Sequence, residues 1–405
     1  MKLLTISTLF PNNKDPKHGI FVRNRLAHLL HDFTDVQAKV IAPVPWFPFE
    51  LKSGPLAAYS KFAGVERHEQ FNEIEVHHPR YLVLPKIGMY LTPFFLSLSI
   101  YFTARKIKAS GYDFDLIDGH YFYPDGVAIA RVAKFMAKPF TVTARGTDIS
   151  LIPQYPLARR LITKVAQQAA GIITVCQALK SGLLEFAQVA HKTTVLRNGV
   201  DLEFFTATDH DTQQKFKKTW CQANQNLIIS VGHLIERKGH DLVVEALLHA
   251  PDCYLVIAGN GPELNRLEAL VDKLKLRRRV HFAGALSQAE LKTLYQSADA
   301  LVLASSREGW ANVLLESMAC GTPVVATNLW GTPEVVASPV AGVLVERDAK
   351  AMSVGLETLF ARNVERSSTR KYAECFDWFA TSKGQHDIFS QILKRNLAKA
   401  TQEFV

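Results

Sequence analysis

The sequence predicts an α/β protein made of two doubly wound domains, and three observations support this class. Short apolar runs rich in β-branched residues alternate with longer stretches of helical periodicity, which is the pattern of parallel sheets covered by helices. The alternation starts again after the polar stretch 206–226. A length of 405 residues also suits two domains of ordinary size.

The first half opens with a predicted strand, 3–8, followed by a helix, 19–30, with apolar residues near helical spacing. The apolar segment 87–102 is shorter than the ~20 residues that a membrane span needs, and Pro93 interrupts it. We therefore expect a buried helix there, with a membrane-facing surface as the alternative. The other predicted strands of this half are 36–42, 115–118, 140–143, 171–175 and 194–196.

The second half repeats the alternation of strands and helices. Its last helix, 376–397, would close the second domain or cross to the first. The predicted strands are 227–231, 254–258, 280–282, 300–304 and 324–326, and the helices between them are 241–250, 263–275, 288–297 and 313–320.

Composition and charge narrow the class of protein. Hydrophobic residues at 48% and charged residues at 21% exclude a disordered chain. Residues 1–205 carry 24 basic and 16 acidic side chains, a net +8, whereas 206–405 carry 23 and 22, a net +1. Such an excess attracts polyanions or is simply a solvated basic surface. Five widely spaced cysteines, with no C-x-x-C, argue against a disulfide scaffold or thiolate zinc site and indicate a reducing compartment.

The segment 305–325 is the most informative for chemistry. A predicted strand ends, a short loop carries Glu308 and Gly309, and a helix begins near Asn312. Backbone N–H groups at a helix start bind phosphate oxygens, and glycine lets the chain approach a ligand closely. Glu316 in the early helix can accept hydrogen bonds from sugar hydroxyls. A surface loop with two solvated carboxylates is the alternative.

Glu308 and Glu316 resemble the E-x7-E signature of retaining glycosyltransferases of family 4. Further segments resemble motifs of that family in its order. They are Leu196-Arg197-Asn198-Gly199-Val200-Asp201, then 231–239, 258–262, 279–284 and 331–334. In the first half, the segments 10–12, 19–22, 42–45, 119–126 and 143–148 are similar to the exopolysaccharide and teichuronic-acid type of transferase.

The resemblance implies a GT-B fold, in which two Rossmann-like doubly wound domains face a central cleft. Residues 1–206 would bind the acceptor and 207–384 the donor, with a C-terminal helix from about 385 to 405 crossing back to the N-terminal domain. The family is retaining and metal-independent. The resemblance implies no cofactor. The nucleotide-diphosphate sugar is the donor substrate.

The resemblance also assigns residues to roles. A cation at Lys238 would stabilise the charge that rises on the departing diphosphate. Glu308 would contact the transferred sugar, and His233 stands where the family usually has arginine. The implied catalytic residues are Glu308, Lys238 and His120, the donor-binding residues are Gly19, His233, Arg237, Val280, Gly309, Asn312, Val313 and Glu316, and the acceptor-side residues are Arg145 and Asp148.

The predicted function is transfer of a sugar to a glycan or polyprenyl-linked acceptor in bacterial cell-surface polysaccharide synthesis. We expect a cytoplasmic protein attached peripherally to the inner face of the membrane, with Tyr90, Phe94, Phe95 and 46–49 as candidate contacts with an anionic lipid surface. Two alternatives are a hydrolysing nucleotide-sugar 2-epimerase and a non-catalytic transferase-like subunit. No nucleic-acid partner is expected, because no recognised binding module is present. The donor sugar, its base and the acceptor depend on pocket shape and are left open.

Overall fold

The computed structural model describes residues 1–50, 60–84, 88–222 and 224–402. The chain divides into two compact units, one formed by Met1–Arg197 with Phe379–Val405 and the other by Asn198–Trp378. The expected boundaries, after residues 206 and 384, lie nine and six residues further along the chain.

Strands and helices alternate along most of both units. The strands are β1 (Lys2–Ile6), β2 (Gln37–Ile41), β3 (Val44–Pro45), β4 (His68–Phe71), β5 (Ile74–His77), β6 (Arg80–Tyr81), β7 (Leu116–His120), β8 (Phe140–Ala144), β9 (Gly171–Thr174), β10 (Thr193–Val195), β11 (Asn226–Val231), β12 (Cys253–Ala258), β13 (Val280–Gly284), β14 (Ala300–Leu303), β15 (Val324–Thr327) and β16 (Gly342–Val345). The α-helices are α1 (Ile20–Asp32), α2 (Gly88–Ala109), α3 (Val127–Met136), α4 (Thr147–Ser150), α5 (Pro156–Gln168), α6 (Gln177–Leu184), α7 (His210–Lys217), α8 (His240–Ala246), α9 (Leu264–Lys273), α10 (Gln288–Ser297), α11 (Asn312–Ala319), α12 (Thr332–Val335), α13 (Ala349–Arg362), α14 (Arg366–Ala373) and α15 (Phe379–Gln402).

The first unit is built on an eight-stranded sheet in the order β10-β9-β8-β7-β1-β2-β5-β4. All its neighbouring pairs are parallel except β4 and β5, which form an antiparallel pair at one edge. β3 and β6 form a separate two-stranded sheet. The central strands β1, β7, β8 and β9 are buried almost throughout, as expected for a parallel sheet with both faces covered.

The last helix, α15, belongs to the first unit and packs against α1. Phe389 and Ile392 lie in a buried cluster with Leu3 and Leu29. The fully buried Arg25 of α1 donates from Nε to Oε1 of Gln385 at 2.8 Å. Of the two arrangements left open by the sequence, the helix therefore joins the N-terminal unit.

The second unit is built on a six-stranded parallel sheet in the order β13-β12-β11-β14-β15-β16. Apolar side chains of β11, β12 and β14 form its core with those of α8, α9 and α13. Every strand predicted in this half is present. β16 and the helices α7, α12, α13 and α14 were not predicted.

The segment predicted as a buried helix is α2, and only one of its faces is buried. Leu96 and Ile100 are inaccessible, whereas Phe94 and Phe102 are about half exposed. The prediction is thus wrong for the exposed face. Residues 85–87 lie outside the described part of the chain, and within the rest no helix is long and apolar enough to cross a bilayer.

Candidate functional site

The two loops that carry the donor-side motifs meet at one edge of the second sheet. β11 and β14 are parallel neighbours, and the loop after β11 contains His233, Arg237 and Lys238. The loop after β14 contains Glu308. Since the carboxyl ends of adjacent parallel strands lie side by side, the loops that follow them come together. The backbone N–H of Ser306 donates to the carbonyl of Arg237 at 2.8 Å and joins them.

Glu308 is the centre of a cluster of side chains from both loops. Its Oε1 accepts hydrogen bonds from Lys238 Nζ at 2.7 Å, Ser305 Oγ at 2.7 Å and Arg237 NH1 at 3.3 Å. The side chains of Glu308 and Lys238 are only 10% and 13% exposed, so water screens their charges weakly. Arg237 also donates to the carbonyl of Arg307 at 2.6 Å. Ser305 was not among the predicted site residues.

Burial alone would raise the pKa of Glu308, but its neighbours outweigh burial. The charges of Lys238 and Arg237, with the hydrogen bonds from Lys238 and Ser305, hold the pKa of Glu308 below its ordinary value. Glu308 is therefore ionised at neutral pH and cannot serve as a general acid in this arrangement. It can accept hydrogen bonds from a sugar and hold the two cations in place.

Gly239 fixes the shape of the loop after β11. Its φ is +67°, and a Cβ at this position would lie 2.3 Å from the carbonyl oxygen of Ala304. Only glycine fits such a close approach in a left-handed conformation without strain. The turn places Lys238, which immediately precedes Gly239, beside the loop after β14.

Glu316, on α11, contacts a residue of the neighbouring helix α10 and not the Glu308 cluster. Its Oε2 accepts a hydrogen bond from the hydroxyl of Tyr295 at 2.9 Å, and burial raises the pKa of Glu316. The carboxyl group is thus held by a neighbouring helix and is oriented before any ligand binds. This geometry is compatible with the implied role of accepting hydrogen bonds from a ribose.

The start of helix α11 is anchored through Asn198. The side-chain amide of Asn198 donates to Oδ1 of Asn312 at 3.3 Å, and the indole N–H of Trp310 donates to the carbonyl of Asn198 at 3.0 Å. No side chain caps the helix at Ala311, so the first N–H groups, including those of Asn312 and Val313, are not bound by a capping residue. Gly309 lies in the loop that leads into this helix.

Val280 and His233, like Glu316, lie outside the Glu308 cluster. The side chain of Val280 is 5% exposed and packs into the core, so a ligand contact there would use the backbone. His233 is exposed in the loop after β11. The structure thus brings Glu308, Lys238 and Arg237 into contact, whereas Glu316 and Val280 contact other residues.

In the first unit, His120 ends β7 and lies between two charged side chains. Its Nε2 is 3.2 Å from Oδ2 of Asp118, and its Nδ1 is 2.7 Å from Arg145 NH2. A guanidinium can only donate, so Nδ1 accepts and Nε2 carries the proton that is directed at Asp118. Both ring nitrogens are engaged, and a hydrogen bond from His120 to a sugar would require one of these contacts to open.

The imidazole of His120 is neutral at ordinary pH. Burial lowers the pKa of His120 to about 4, with the charge of Arg145 acting in the same direction and that of Asp118 opposing both. Arg145 also lies over the ring of Phe21, 5.2 Å from its centroid, which fixes the guanidinium from its other side. Asp118 was not predicted, although it lies two residues before His120 and therefore on the same face of β7.

Asp148 has a structural role. Its carboxylate accepts from the backbone N–H groups of Phe122 at 3.0 Å, Arg145 at 3.1 Å and Gly146 at 2.7 Å. These bonds hold the loops after β7 and β8 together. Both of its oxygens bind the backbone, and the acceptor-side role of Asp148 stays a prediction.

The loop after β1 is fixed by a second buried carboxyl group, Asp125, which was not predicted as a site residue. Asp125 accepts from the backbone N–H of Thr8 at 2.6 Å and from its hydroxyl at 2.9 Å. Gly19 follows on the same loop with φ +61°, where a Cβ would lie 2.2 Å from the carbonyl carbon of Leu9. Gly19 is thus required for the loop to fold back on itself.

The arrangement of the second unit suits an anionic ligand whose negative charge increases during reaction. Two cations and a loop before an uncapped helix lie at the carboxyl edge of a parallel sheet, which is where α/β folds bind nucleotides. Within the residues that the structure describes, no group of three histidine, cysteine, aspartate or glutamate side chains is placed to hold a metal ion.

Comparisons with known proteins agree with the fold and the motifs. A model for group 1 glycosyl transferases matches residues 211–375, and a model for glycosyltransferase family 4 matches residues 58–204. TuaC of Bacillus subtilis (strain 168), a glycosyltransferase assigned to teichuronic acid biosynthesis, is 24% identical over 410 residues, which cover 98% of this chain and all of TuaC. A D-inositol 3-phosphate glycosyltransferase of Corynebacterium urealyticum is 27% identical over 70% of this chain and 73% of its own length.

Solved structures are similar over nearly the whole chain. HepE of Anabaena, in complex with UDP-glucose, superposes with a TM-score of 0.72 at 19% identity over 96% of this chain and 100% of HepE. The sucrose-phosphate synthase of Thermosynechococcus elongatus gives 0.78 at 18% identity over 98% and 100%. Both show the GT-B fold that the resemblance implied.

Fold and motifs together define a glycosyltransferase that uses a nucleotide-sugar donor. The chain belongs to the group 1 and family 4 glycosyltransferases, with the family 4 region in its first half and the group 1 region in its second. It is therefore an enzyme of the retaining type, in a family that works without a bound metal.

Proposed function

We propose that this chain transfers a sugar, with retention of configuration, from a nucleoside diphosphate sugar to a glycan or lipid-linked acceptor during assembly of a cell-surface polysaccharide. The observation that carries the proposal is the contact of Glu308 with Lys238 and Arg237 at the carboxyl edge of the second sheet. The assignment of TuaC to teichuronic acid synthesis, over nearly the full length of both chains, supports the polysaccharide part.

Lys238 is the residue that responds to bond cleavage. As the bond between the sugar and the diphosphate breaks, negative charge grows on the departing phosphate, and a nearby ammonium group stabilises that charge more in the transition state than in the ground state. Glu308 holds the ammonium group in position before the donor arrives. When the donor binds, the diphosphate competes with Glu308 for Lys238 and leaves the carboxylate free to accept hydrogen bonds from the sugar.

Retention then follows from attack on the face that the diphosphate leaves. In this route the departing phosphate oxygen takes the proton of the acceptor hydroxyl, so no side chain has to act as a base. Glu308 remains a sugar ligand, which agrees with its lowered pKa. His120 and Arg145 form a rigid pair in the first unit, and we assign them a positioning role on the acceptor side.

All five cysteines lie in the described part of the chain and none forms a disulfide; Cys176, Cys253 and Cys320 are buried. Cysteines without disulfides are typical of reducing compartments. We therefore place the reaction in the cytoplasm, with a lipid-linked acceptor reached at the inner face of the membrane.

The test is a donor panel followed by product analysis. UDP-, GDP-, ADP- and CDP-sugars are added without metal, and thermal stability is measured. A donor present at a hundred times its Kd stabilises the folded protein by about 2.7 kcal/mol. The donor that binds is then incubated with lipid-linked and free glycan acceptors, and NMR of the product gives the anomeric configuration. Retained configuration supports the proposal, whereas inversion, or release of a 2-epimer without transfer, contradicts it.

A further inference from the structure

One face of the first unit is formed by three basic helices. Helices α2, α3 and α5 pack side by side, α3 against each of the other two. Together they contain eight basic residues and no acidic residue. The side chains of all eight are exposed, and they are Arg105, Lys106, Lys108, Arg131, Lys134, Arg159, Arg160 and Lys164.

The same helices expose an apolar stripe. Tyr90, Phe94, Leu98 and Phe102 follow one another at intervals of four residues and so lie along one side of α2. Each is between 41% and 58% exposed, and Phe135 of α3, beside Tyr101, is 74% exposed. Large aromatic side chains are rarely left so accessible in a row, and a contiguous apolar patch marks an interaction surface. The stripe and the basic residues occupy the same three helices.

A groove runs between the three helices. Its volume is about 600 Å³, and Phe94, Leu98 and Phe135 contribute apolar walls. Arg131, Lys134 and Lys164 also line it. This places cationic groups beside an apolar trough, which is the arrangement that a phospholipid needs for its headgroup phosphate and the upper part of its acyl chains.

We propose that the three-helix face formed by α2, α3 and α5 docks on the surface of a bilayer that contains anionic phospholipid. The apolar stripe of α2, with Phe135, enters the boundary between headgroups and acyl chains, and the basic side chains remain at headgroup level. An acidic protein surface would satisfy the positive charges but would gain little from a row of aromatic rings lying along a helix. A bilayer interface matches both features at once.

This docking deepens the proposed function, since it would bring a lipid-linked acceptor to the first unit. It does not depend on the donor site, because vesicle binding needs neither donor nor acceptor. Trp46 and Phe49 are also exposed, but they lie outside the three helices and the docking face does not include them. The two proposals can therefore fail separately.

The test is sedimentation of the full chain with vesicles of phosphatidylcholine alone or of equal parts phosphatidylcholine and phosphatidylglycerol. We expect binding to the anionic vesicles, weakened by high salt, because salt screens exposed charges. The double variant Lys134→Glu, Lys164→Glu should lower the partition coefficient by at least about 30-fold, since each basic residue near an anionic surface contributes ~1 kcal/mol. The variant Phe102→Ser, Phe135→Ser should lower it at least about tenfold through lost apolar burial.

The matched control is Lys215→Glu, Lys350→Glu. It makes the same change in net charge with two exposed lysines of the second unit. The thermal unfolding transition, measured on every variant without donor, reports that each one is folded. No binding of the wild-type chain to anionic vesicles, or equal binding by the Lys134/Lys164 variant and its control, would overturn the proposal. If the wild-type chain binds anionic vesicles but transfers no sugar, the proposed reaction is refuted and the docking proposal is not.

Discussion

Asp125 offers a direct test of how the first unit holds its loop after β1. Its carboxyl group is 1% exposed, and burial raises its pKa to about 7, against the hydrogen bonds from Thr8 that act to lower it. In the unfolded chain the same group titrates near its ordinary value of 3.8. The folded protein therefore binds more protons than the unfolded chain between these two values, and stability falls as the pH rises through that window.

Asp125→Asn removes this titration and preserves the shape of the side chain. The amide oxygen can accept from the N–H of Thr8, and the amide N–H can donate to the hydroxyl. Each pH unit of the window corresponds to about 1.4 kcal/mol. From low to neutral pH, the free energy of unfolding of the variant should therefore gain up to about 4 kcal/mol relative to that of the wild type. Above pH 7 the gain should stay constant, because both states of the wild type are then ionised.

The assay is urea unfolding of both proteins at a series of pH values that spans this window. His120 and His240, whose pKa values burial lowers to about 4, have the opposite pH dependence, but they are present in both proteins and cancel in the difference. Asp252→Asn, at an exposed position in the second unit, controls for loss of one negative charge. A difference between wild type and Asp125→Asn that does not change with pH would refute the reasoning.

Two further substitutions test the donor side by equilibrium unfolding. Gly239→Ala should lower the free energy of unfolding by about 2–4 kcal/mol, because its Cβ would meet the carbonyl of Ala304 and its φ is +67°; stability equal to wild type would contradict this. Tyr295→Phe should cost about 1–3 kcal/mol by leaving a buried Glu316 oxygen without its donor. Tyr254→Phe on β12 is its control, and an equal loss in the two variants would count against the contact.

Most strands of the two sheets could be predicted because a strand buried on both faces is rich in apolar and β-branched residues. β8, β11 and β14 have that character. The edge pair β4 and β5 was missed because each strand has only four residues and is partly exposed, so the alternation of Ile74 and Val76 in β5 is too short to stand out. The position of α15 could not be fixed by local sequence alone, since Arg25 and Gln385 are 360 residues apart.

The same limit applies to the site. Motif resemblance indicated Lys238 and Glu308, but their direct contact depends on β11 and β14 being neighbours, with 70 residues between the two side chains. The motifs also did not indicate Asp118, which contacts His120, or Asp125, which accepts hydrogen bonds from Thr8. The thiol of the buried Cys176 accepts from the N–H of Leu179 at 3.4 Å and caps α6 as serine would, which no motif indicated.

The measurement that tests the central claim most directly is the turnover of Lys238→Ala with a saturating nucleotide-sugar donor. Removing one electrostatic stabiliser of the transition state typically lowers kcat about 10²- to 10³-fold, and we expect a loss of that size. Lys350→Ala, at an exposed lysine of the same unit, should retain wild-type turnover. A kcat of Lys238→Ala within a few-fold of the wild-type value would contradict the account.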